Sequence, residues 1–293
     1  MGSPARTCGS LALAASILLA LMPRPSLGCT IWAATGTKVN GKGGTVVAKN
    51  RDNSMGLVTE FRAVCREKGL AFAALFDPER DGYVVAGINE KGLTVVNASA
   101  ASLPDEKRLV AKEDLTERLL TSFATVDALV AEGTLFATSH PAFYLVADST
   151  KAALIEVAPG GKTSIKVTAN GVLTHANHYT DESLKKANER PTRKSRDRLK
   201  RINRLLANGS ASFDLDGFIS LSEDRSAGRI GAIRQECGPA RKVCTLATWV
   251  VSLPKVGPPE LYINILKSDY TAEKKKLTLD SGFWMRIPRP PGP

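Results

Sequence analysis

Cys29 follows Ser26-Leu27-Gly28, a few residues after a long uncharged run, and a cysteine in that position has a chemistry of its own. If the chain is cut in front of it, one residue carries both a thiol and a free α-amino group. Such an amine titrates near ~8, well below a lysine, so part of it is neutral at physiological pH and can take the thiol proton. Nucleophile and base then belong to the same residue, and no catalytic histidine is required of a chain that has three. Two other readings stay open, a lipoprotein cysteine that carries acyl chains and an ordinary buried cysteine. The lipoprotein lead-in has Leu followed by small residues, whereas here Ser26 stands where Leu belongs and Leu27 is in the middle. The order Ser-x-Gly suits a signal-peptidase cut better.

Arg6 precedes an uncharged run from Leu11 to Met22, followed by Pro23-Arg24-Pro25. A basic start, an apolar stretch too short to span a bilayer and small residues before the cut predict a secretory signal over 1–28. The expected mature chain is therefore secreted or periplasmic, with a single domain over 29–286 and a Pro-rich tail, expected to fray, over 287–293. No later stretch approaches the ~18 apolar residues of a membrane helix, so stable membrane insertion is not expected. Of the 293 residues, 43% are hydrophobic and 24% charged, which is globular composition. The formal net charge of +11 falls to about +9 without Arg6 and Arg24, and much of it clusters at Lys185 to Arg204 and Lys274 to Lys276. No aromatic residues interleave with the first cluster, so it reads as a solvated helix face, and no nucleic-acid partner is expected. An anionic surface or an acidic substrate remains open to it. Cys237 and Cys244 flank a short Gly-Pro loop and are candidates for a disulfide, while Cys65 lies in an apolar stretch and is expected to be buried. Metal-ligand spacing is absent.

The elements that must position Cys29 are mostly hairpins. Cys29 to Thr35 and Thr45 to Lys49 flank the Asn40-Gly41-Lys42-Gly43-Gly44 turn, which lacks the helix and Lys-Ser/Thr ending of a phosphate loop. Tyr83 to Ile88 and Leu93 to Ala98 flank Asn89-Glu90-Lys91-Gly92, and Phe143 to Ala147 and Ala153 to Val157 flank Asp148 to Lys151. Helical spacing marks Leu109 to Ala131, with Asp114 and Thr121 as breaks or caps. It also marks Arg193 to Leu206, where Leu199, Ile202, Leu205 and Leu206 share one face and Arg196, Lys200 and Asn203 lie elsewhere. Thr245 to Val251 and Glu260 to Leu266 read as two more strands. Strands and helices come in blocks, which predicts an α+β fold.

Several short motifs, in order along Cys29 to Leu266, resemble the cysteine-nucleophile branch of the N-terminal nucleophile (Ntn) hydrolases: choloylglycine hydrolases, penicillin V acylases and isopenicillin N acyltransferase relatives. Cys29-Thr30 opens a strand, and Lys49-Asn50-Arg51-Asp52 stands where these families carry Arg-Asn-x-Asp. The resemblance implies that Asp52 holds the α-ammonium or thiol; as a residue type it also reads as a turn-capping carboxylate. Lys49 replaces the usual arginine unless Arg51 serves. Gly87-Ile88-Asn89-Glu90-Lys91-Gly92-Leu93 followed by Val96-Asn97 looks like the family's G-x-N-E-K-G-L hairpin, whose downstream asparagine orients substrate. Leu173-Thr174-His175-Ala176-Asn177-His178 resembles the segment that supplies an oxyanion asparagine; Asn177 is favoured over His175, and either histidine can instead shape the pocket. Ser195-Arg196-Asp197-Arg198 matches a helix start with serine and arginine, with Arg196 preferred to Arg198 as the arginine that holds the nucleophile's surroundings.

The resemblance implies a four-layer αββα sandwich of two antiparallel sheets flanked by helices. It implies catalytic Cys29, Asp52, Asn177 and Arg196, with Asn97, Lys49 and His175 for substrate or oxyanion. No metal or organic cofactor is needed. The expected reaction is cleavage of a linear amide C–N bond in a small-molecule N-acyl compound through a thioester on Cys29. Acyl amino acids, penicillin V-like amides, conjugated bile acids and acyl-homoserine lactones all fit. An acyltransferase and a non-catalytic lipoprotein are the alternatives, and Gly28-Cys29 suits either signal peptidase or self-processing.

Overall fold

The computed structural model describes residues 28–108, 114–208, 212–238 and 243–290, so most of the predicted signal segment and the last three residues of the tail lie outside the described residues. Two antiparallel sheets carry the fold. The first takes the order β10-β1-β2-β11-β12-β13, built from β1 (Gly28–Gly36), β2 (Gly44–Ser54), β10 (Gly171–His175), β11 (Val243–Pro254), β12 (Glu260–Leu266) and β13 (Ala272–Thr278). The second runs in sequence order through β3 (Glu60–Val64), β4 (Phe72–Asp77), β5 (Tyr83–Asn89), β6 (Thr94–Ser99), β7 (Ala142–Ala147), β8 (Ala152–Val157) and β9 (Thr163–Thr168). The helices are α1 (Asp105–Arg108), α2 (Leu115–Ser122), α3 (Val126–Ala131), α4 (Arg193–Ala207), α5 (Leu215–Ser222), α6 (Gly228–Gly231) and α7 (Ser281–Met285).

Side-chain alternation sorts these elements into four layers. On β1, Cys29, Ile31 and Ala33 point between the sheets, where they join Leu75, Val96, Leu145 and Trp249. Trp32 and Ala34 point the other way and pack with Ile202 and Leu206 of α4 and Phe218 of α5. On the far face of the second sheet, Phe72, Val95 and Tyr144 pack with Leu119 and Leu120 of α2 and Leu129 of α3. A strand covered on both faces must be apolar on both, which is why β1 and β4 read as near-continuous apolar runs. The outer strand β13 carries Lys274, Lys275 and Lys276, charges that discourage a further strand from pairing there.

The expected hairpins are present, and the motif Gly87 to Leu93 is explained by packing. A Cβ at Gly87 would lie 2.5 Å from Leu120 Cδ1, so glycine lets α2 lie against β5. Asn89 Oδ1 accepts from Lys91 N and Leu93 N, while its Nδ2 donates to Leu120 O (2.8 Å) and Phe123 O (2.7 Å), tying the turn to the end of α2. Within the predicted 109–131 helix, residues 109–113 lie outside the described residues. Asp114 starts α2 as its N-cap, and the chain breaks again before α3. Of the described part of the tail, Ile287 is buried and Arg289 pairs with Glu90 at 2.8 Å. Cys65 is half-buried rather than buried.

Cys237 and Cys244 form a disulfide at the start of β11. Beside it, Thr245 N donates to Gln235 O and Gln235 N to Thr245 Oγ1, so the bridge staples the segment that presents Thr245. With a separation of 7 residues the closed loop is short, and chain-entropy reasoning gives about 2.5 kcal/mol for the cross-link. A Cys237→Ser/Cys244→Ser variant is therefore expected to lose about that much stability in urea unfolding, and an unchanged midpoint would contradict it.

Candidate functional site

The start of β1 is where elements from both sheets and one helix converge. Cys29 is buried on β1, with Arg51 of β2 opposite it and Asp52 opposite Gly28. In the uncleaved chain the Cys29 nitrogen is a peptide N–H that donates to Asn177 Oδ1 at 2.8 Å. Arg198 of α4 donates through Nη1 to Cys29 O and to Thr30 Oγ1 (2.7 Å), and through Nη2 to Asn177 Oδ1 (2.8 Å). Two donors converging on Oδ1 fix the orientation of the Asn177 amide, whose Nδ2 donates to Ser99 O at 2.9 Å. The amide oxygen thus faces the Cys29 nitrogen, and one of the two Nδ2 hydrogens is committed to Ser99. Asn177 is itself anchored, since its N–H donates to Ser195 Oγ (2.9 Å), leaving the Ser195 hydroxyl hydrogen for His178 Nδ1 (2.7 Å). Burial, then the charges of His175 and Arg196, lower the His178 pKa to about 4, so the ring is neutral and its Nδ1 can accept.

Asp52 lies on the helix side of the first sheet. Its Oδ1 accepts from Thr245 Oγ1 at 2.7 Å, and its Oδ2 is 3.9 Å from Arg198 Nη1. The register shift between Thr245 and Ala247 leaves Leu246 as an extra residue in β11, a bulge beside the site. Burial raises the Asp52 pKa to about 6, against the lowering effect of Arg198 and the Thr245 hydrogen bond. A Cβ on Gly28 would lie 3.1 Å from Arg198 Nη2 and 3.2 Å from Asp52 Oδ2. The absent side chain is what lets both groups close on the Gly28–Cys29 peptide.

On the inner face, Lys49 reaches across to the second sheet. Strands β5 and β6 pair only at Ala86, Gly87 and Ile88 with Val96, Val95 and Thr94. Beyond that the seam is filled by side chains. Lys49 Nζ donates to Val85 O (2.6 Å) and Asn97 Oδ1 (2.9 Å), while Asn97 Nδ2 donates to Val84 O (3.0 Å) and Thr116 Oγ1 (2.8 Å). Burial lowers the Lys49 pKa to about 8, opposed chiefly by the negative charge available to Cys29. Asn97 thus holds Lys49 in place through its Oδ1.

His175 and Arg196 are elsewhere. The His175 Nε2 lies 3.0 Å from Glu156 Oε1 and its Nδ1 3.1 Å from Ala176 O, and its ring packs tilted against Phe143, so it ties the two sheets together. Burial pushes the Glu156 carboxyl up, but its hydrogen bonds from His175 and Thr180 outweigh this and hold it below its ordinary value. Arg196 is exposed and donates to Pro191 O. Arg198 takes the place expected of it, for a reason visible in helical spacing. Arg198 stands four residues before Ile202 and eight before Leu206, on the apolar face, whereas Arg196 shares the outer face with Lys200. Ser195 and Thr245 also belong to the site; Ser195 shares the Arg198 face, but no local signal marks Thr245.

A family model described as acyl-coenzyme A:6-aminopenicillanic acid acyl-transferase matches residues 39–257, about three quarters of the chain, beginning downstream of Cys29. No curated protein matches the sequence. Among solved structures, a mutant of conjugated bile acid hydrolase from Clostridium perfringens is similar at 13% identity and a TM-score of 0.47, covering 85% of this chain and 92% of that one. Penicillin V acylase from Agrobacterium tumefaciens is similar at 16% identity and a TM-score of 0.47, covering 89% and 94%.

Two stability measurements check this geometry. Arg198→Ala strips the partner from Cys29 O, Asn177 and buried Asp52 and is expected to cost about 3–5 kcal/mol, whereas Arg196→Ala stays within about 0.5 kcal/mol. Similar losses would contradict the placement. For Lys49, the folded pKa of about 8 lies below the ordinary 10.5. Between those values the unfolded chain binds the extra proton, so stability rises with pH, by roughly 3 kcal/mol in all. In urea unfolding at pH 7.5 and 10, the wild type should gain stability relative to Lys49→Met; a pH-independent difference would count against the assignment.

Proposed function

The chain belongs to the acyl-coenzyme A:6-aminopenicillanic acid acyl-transferase family, and on that premise we propose that it is an exported hydrolase of linear amides whose nucleophile is Cys29, freed as the N-terminal residue. The observation that carries the reading is the grip on Cys29 from both sides, with its nitrogen on Asn177 and its carbonyl on Arg198. Release of Gly28 turns that nitrogen into an amine already seated on a hydrogen-bond acceptor, beside Asp52.

The steps balance without a cofactor. Cys29 Sγ forms a bond to the amide carbonyl carbon and its proton passes to the α-amine, directly or through one water. The tetrahedral intermediate collapses by breaking C–N, and the amine returns the proton to the leaving nitrogen. Water then adds to the thioester with the amine as base, C–S breaks, and the acid departs with Cys29 restored. Lys49 is the cation that acts on Cys29, and two of its three N–H bonds are taken by Val85 and Asn97. The third, with a backbone N–H, is assigned here to the developing oxyanion. The substrate class is a small N-acyl compound.

A second reading has a specific observation in its favour, because the matching family is described as an acyl-transferase. An amine in place of water at deacylation makes the same site a transferase.

The test is to express the chain with its leader, sequence the mature N-terminus, and assay N-acyl substrates with wild type and Cys29→Ala. The expected results are a mature chain that starts at Cys29, turnover abolished by a thiol reagent, and a folded but inactive Cys29→Ala. Full turnover by Cys29→Ala would overturn the proposal. Acyl transfer to an added amine nucleophile in preference to water would select the second reading.

A further inference from the structure

On the side of α4 turned away from the first sheet lies a groove of about 400 Å³ that the proposed chemistry does not use. Helical spacing builds it. Ser195, Arg198, Ile202 and Leu206 form the buried stripe of α4, and Arg193, Asp197, Lys200, Arg201 and Arg204 form the opposite one. The facing wall is α6 and the residue before it, with Ala227, Arg229, Ile230 and Gly231. Arg201 fastens that wall to the helix, since its Nε and Nη2 donate to Asp224 at 2.9 and 2.7 Å and Nη2 also donates to Ser226 Oγ. The spacing of the two walls is therefore set by a forked ion pair rather than left to loop motion.

The charges in the groove do not balance. Arg193 is answered by Asp197 at 3.3 Å and Arg201 by Asp224. Lys200, Arg204 and Arg229 line the same cavity and have no carboxylate within ion-pair distance among the described residues. Lys200 and Arg204 are four apart on one helix face, a like-charge pair that weakens a helix unless an anion sits between them. Two guanidinium forks and an ammonium around one concavity match the geometry of a phosphate group, which accepts several charge-assisted hydrogen bonds at once.

We propose that the groove between α4 and α6 is a binding site for a phosphate-bearing ligand. It lies across the first sheet from the inward-pointing Cys29 side chain, so it is distinct from the amide site and does not depend on that reading. The two meet only through α4, which carries Arg198 on its other face.

The mature protein is titrated with inorganic tripolyphosphate by calorimetry and, in a second arm, sedimented with phosphatidylcholine vesicles containing phosphatidylglycerol. The variants are Lys200→Glu/Arg204→Glu/Arg229→Glu and a control, Lys42→Glu/Lys255→Glu/Lys274→Glu, which changes net charge equally at exposed positions outside the groove. Binding is expected in at least one arm, weakened about tenfold or more by the groove variant and much less by the control. The arm that binds identifies a soluble phosphate or a lipid headgroup as the source. Amide turnover by the groove variant should match wild type. No binding in either arm, or equal loss in both variants, would overturn the proposal.

Discussion

The Arg198 guanidinium, buried between a helix and the strands β1 and β2, is the interaction on which the candidate site depends. It joins the carbonyl of Cys29, the hydroxyl of Thr30 and the amide oxygen of Asn177, and it faces the carboxylate of Asp52. A cation taken out of water at that depth is tolerated only where nearly every donor finds an acceptor, so the surroundings are constrained to a single arrangement. Gly28 must lack a side chain, Asn177 must turn its oxygen inward, and α4 must present Arg198 on its apolar face. The disulfide and the β11 bulge serve the same end by presenting Thr245 to Asp52.

The other side of Cys29 is governed by an interrupted ladder. Where β5 and β6 part, Lys49 from the facing sheet and Asn97 take over the backbone partners that strand pairing would have satisfied. The seam places a cation of lowered pKa next to a sulfur in an apolar interlayer. Positive charges therefore flank Cys29 from both layers, Arg198 at its backbone and Lys49 on its side-chain face, an arrangement suited to a thiol that must carry negative charge.

Local pattern revealed much of this. Turn chemistry marked the β1–β2, β5–β6 and β7–β8 hairpins, and apolar spacing marked α4, because both signals depend only on neighbours in sequence. The edge strands β3, β9, β10 and β13 were missed, since half-exposed strands such as Thr163–Thr168 lack a strong apolar alternation, and the buried β4 was missed because a short continuous apolar run carries no period of its own. Arg198 was within reach: applying the helical period to the charged residues as well as the leucines separates it from Arg196. Asn97 and His175 were not, because their partners, Lys49 and Glu156, come from strands distant in sequence and nothing local says where a side chain ends. Of the Gly87 to Leu93 motif, the sequence showed the hairpin, while the reason for Gly87 lay in the helix packed above it.

The central claim is that the reacting sulfur and the base that serves it belong to one residue. Quenching the enzyme during turnover of a slow N-acyl substrate, digesting it and mapping the adduct by mass spectrometry tests this directly. The account predicts an acyl group released by hydroxylamine, as a thioester is, on a peptide whose first residue is Cys29 with its α-amine free. An adduct on another residue, or on a Cys29 still joined to Gly28, would contradict it.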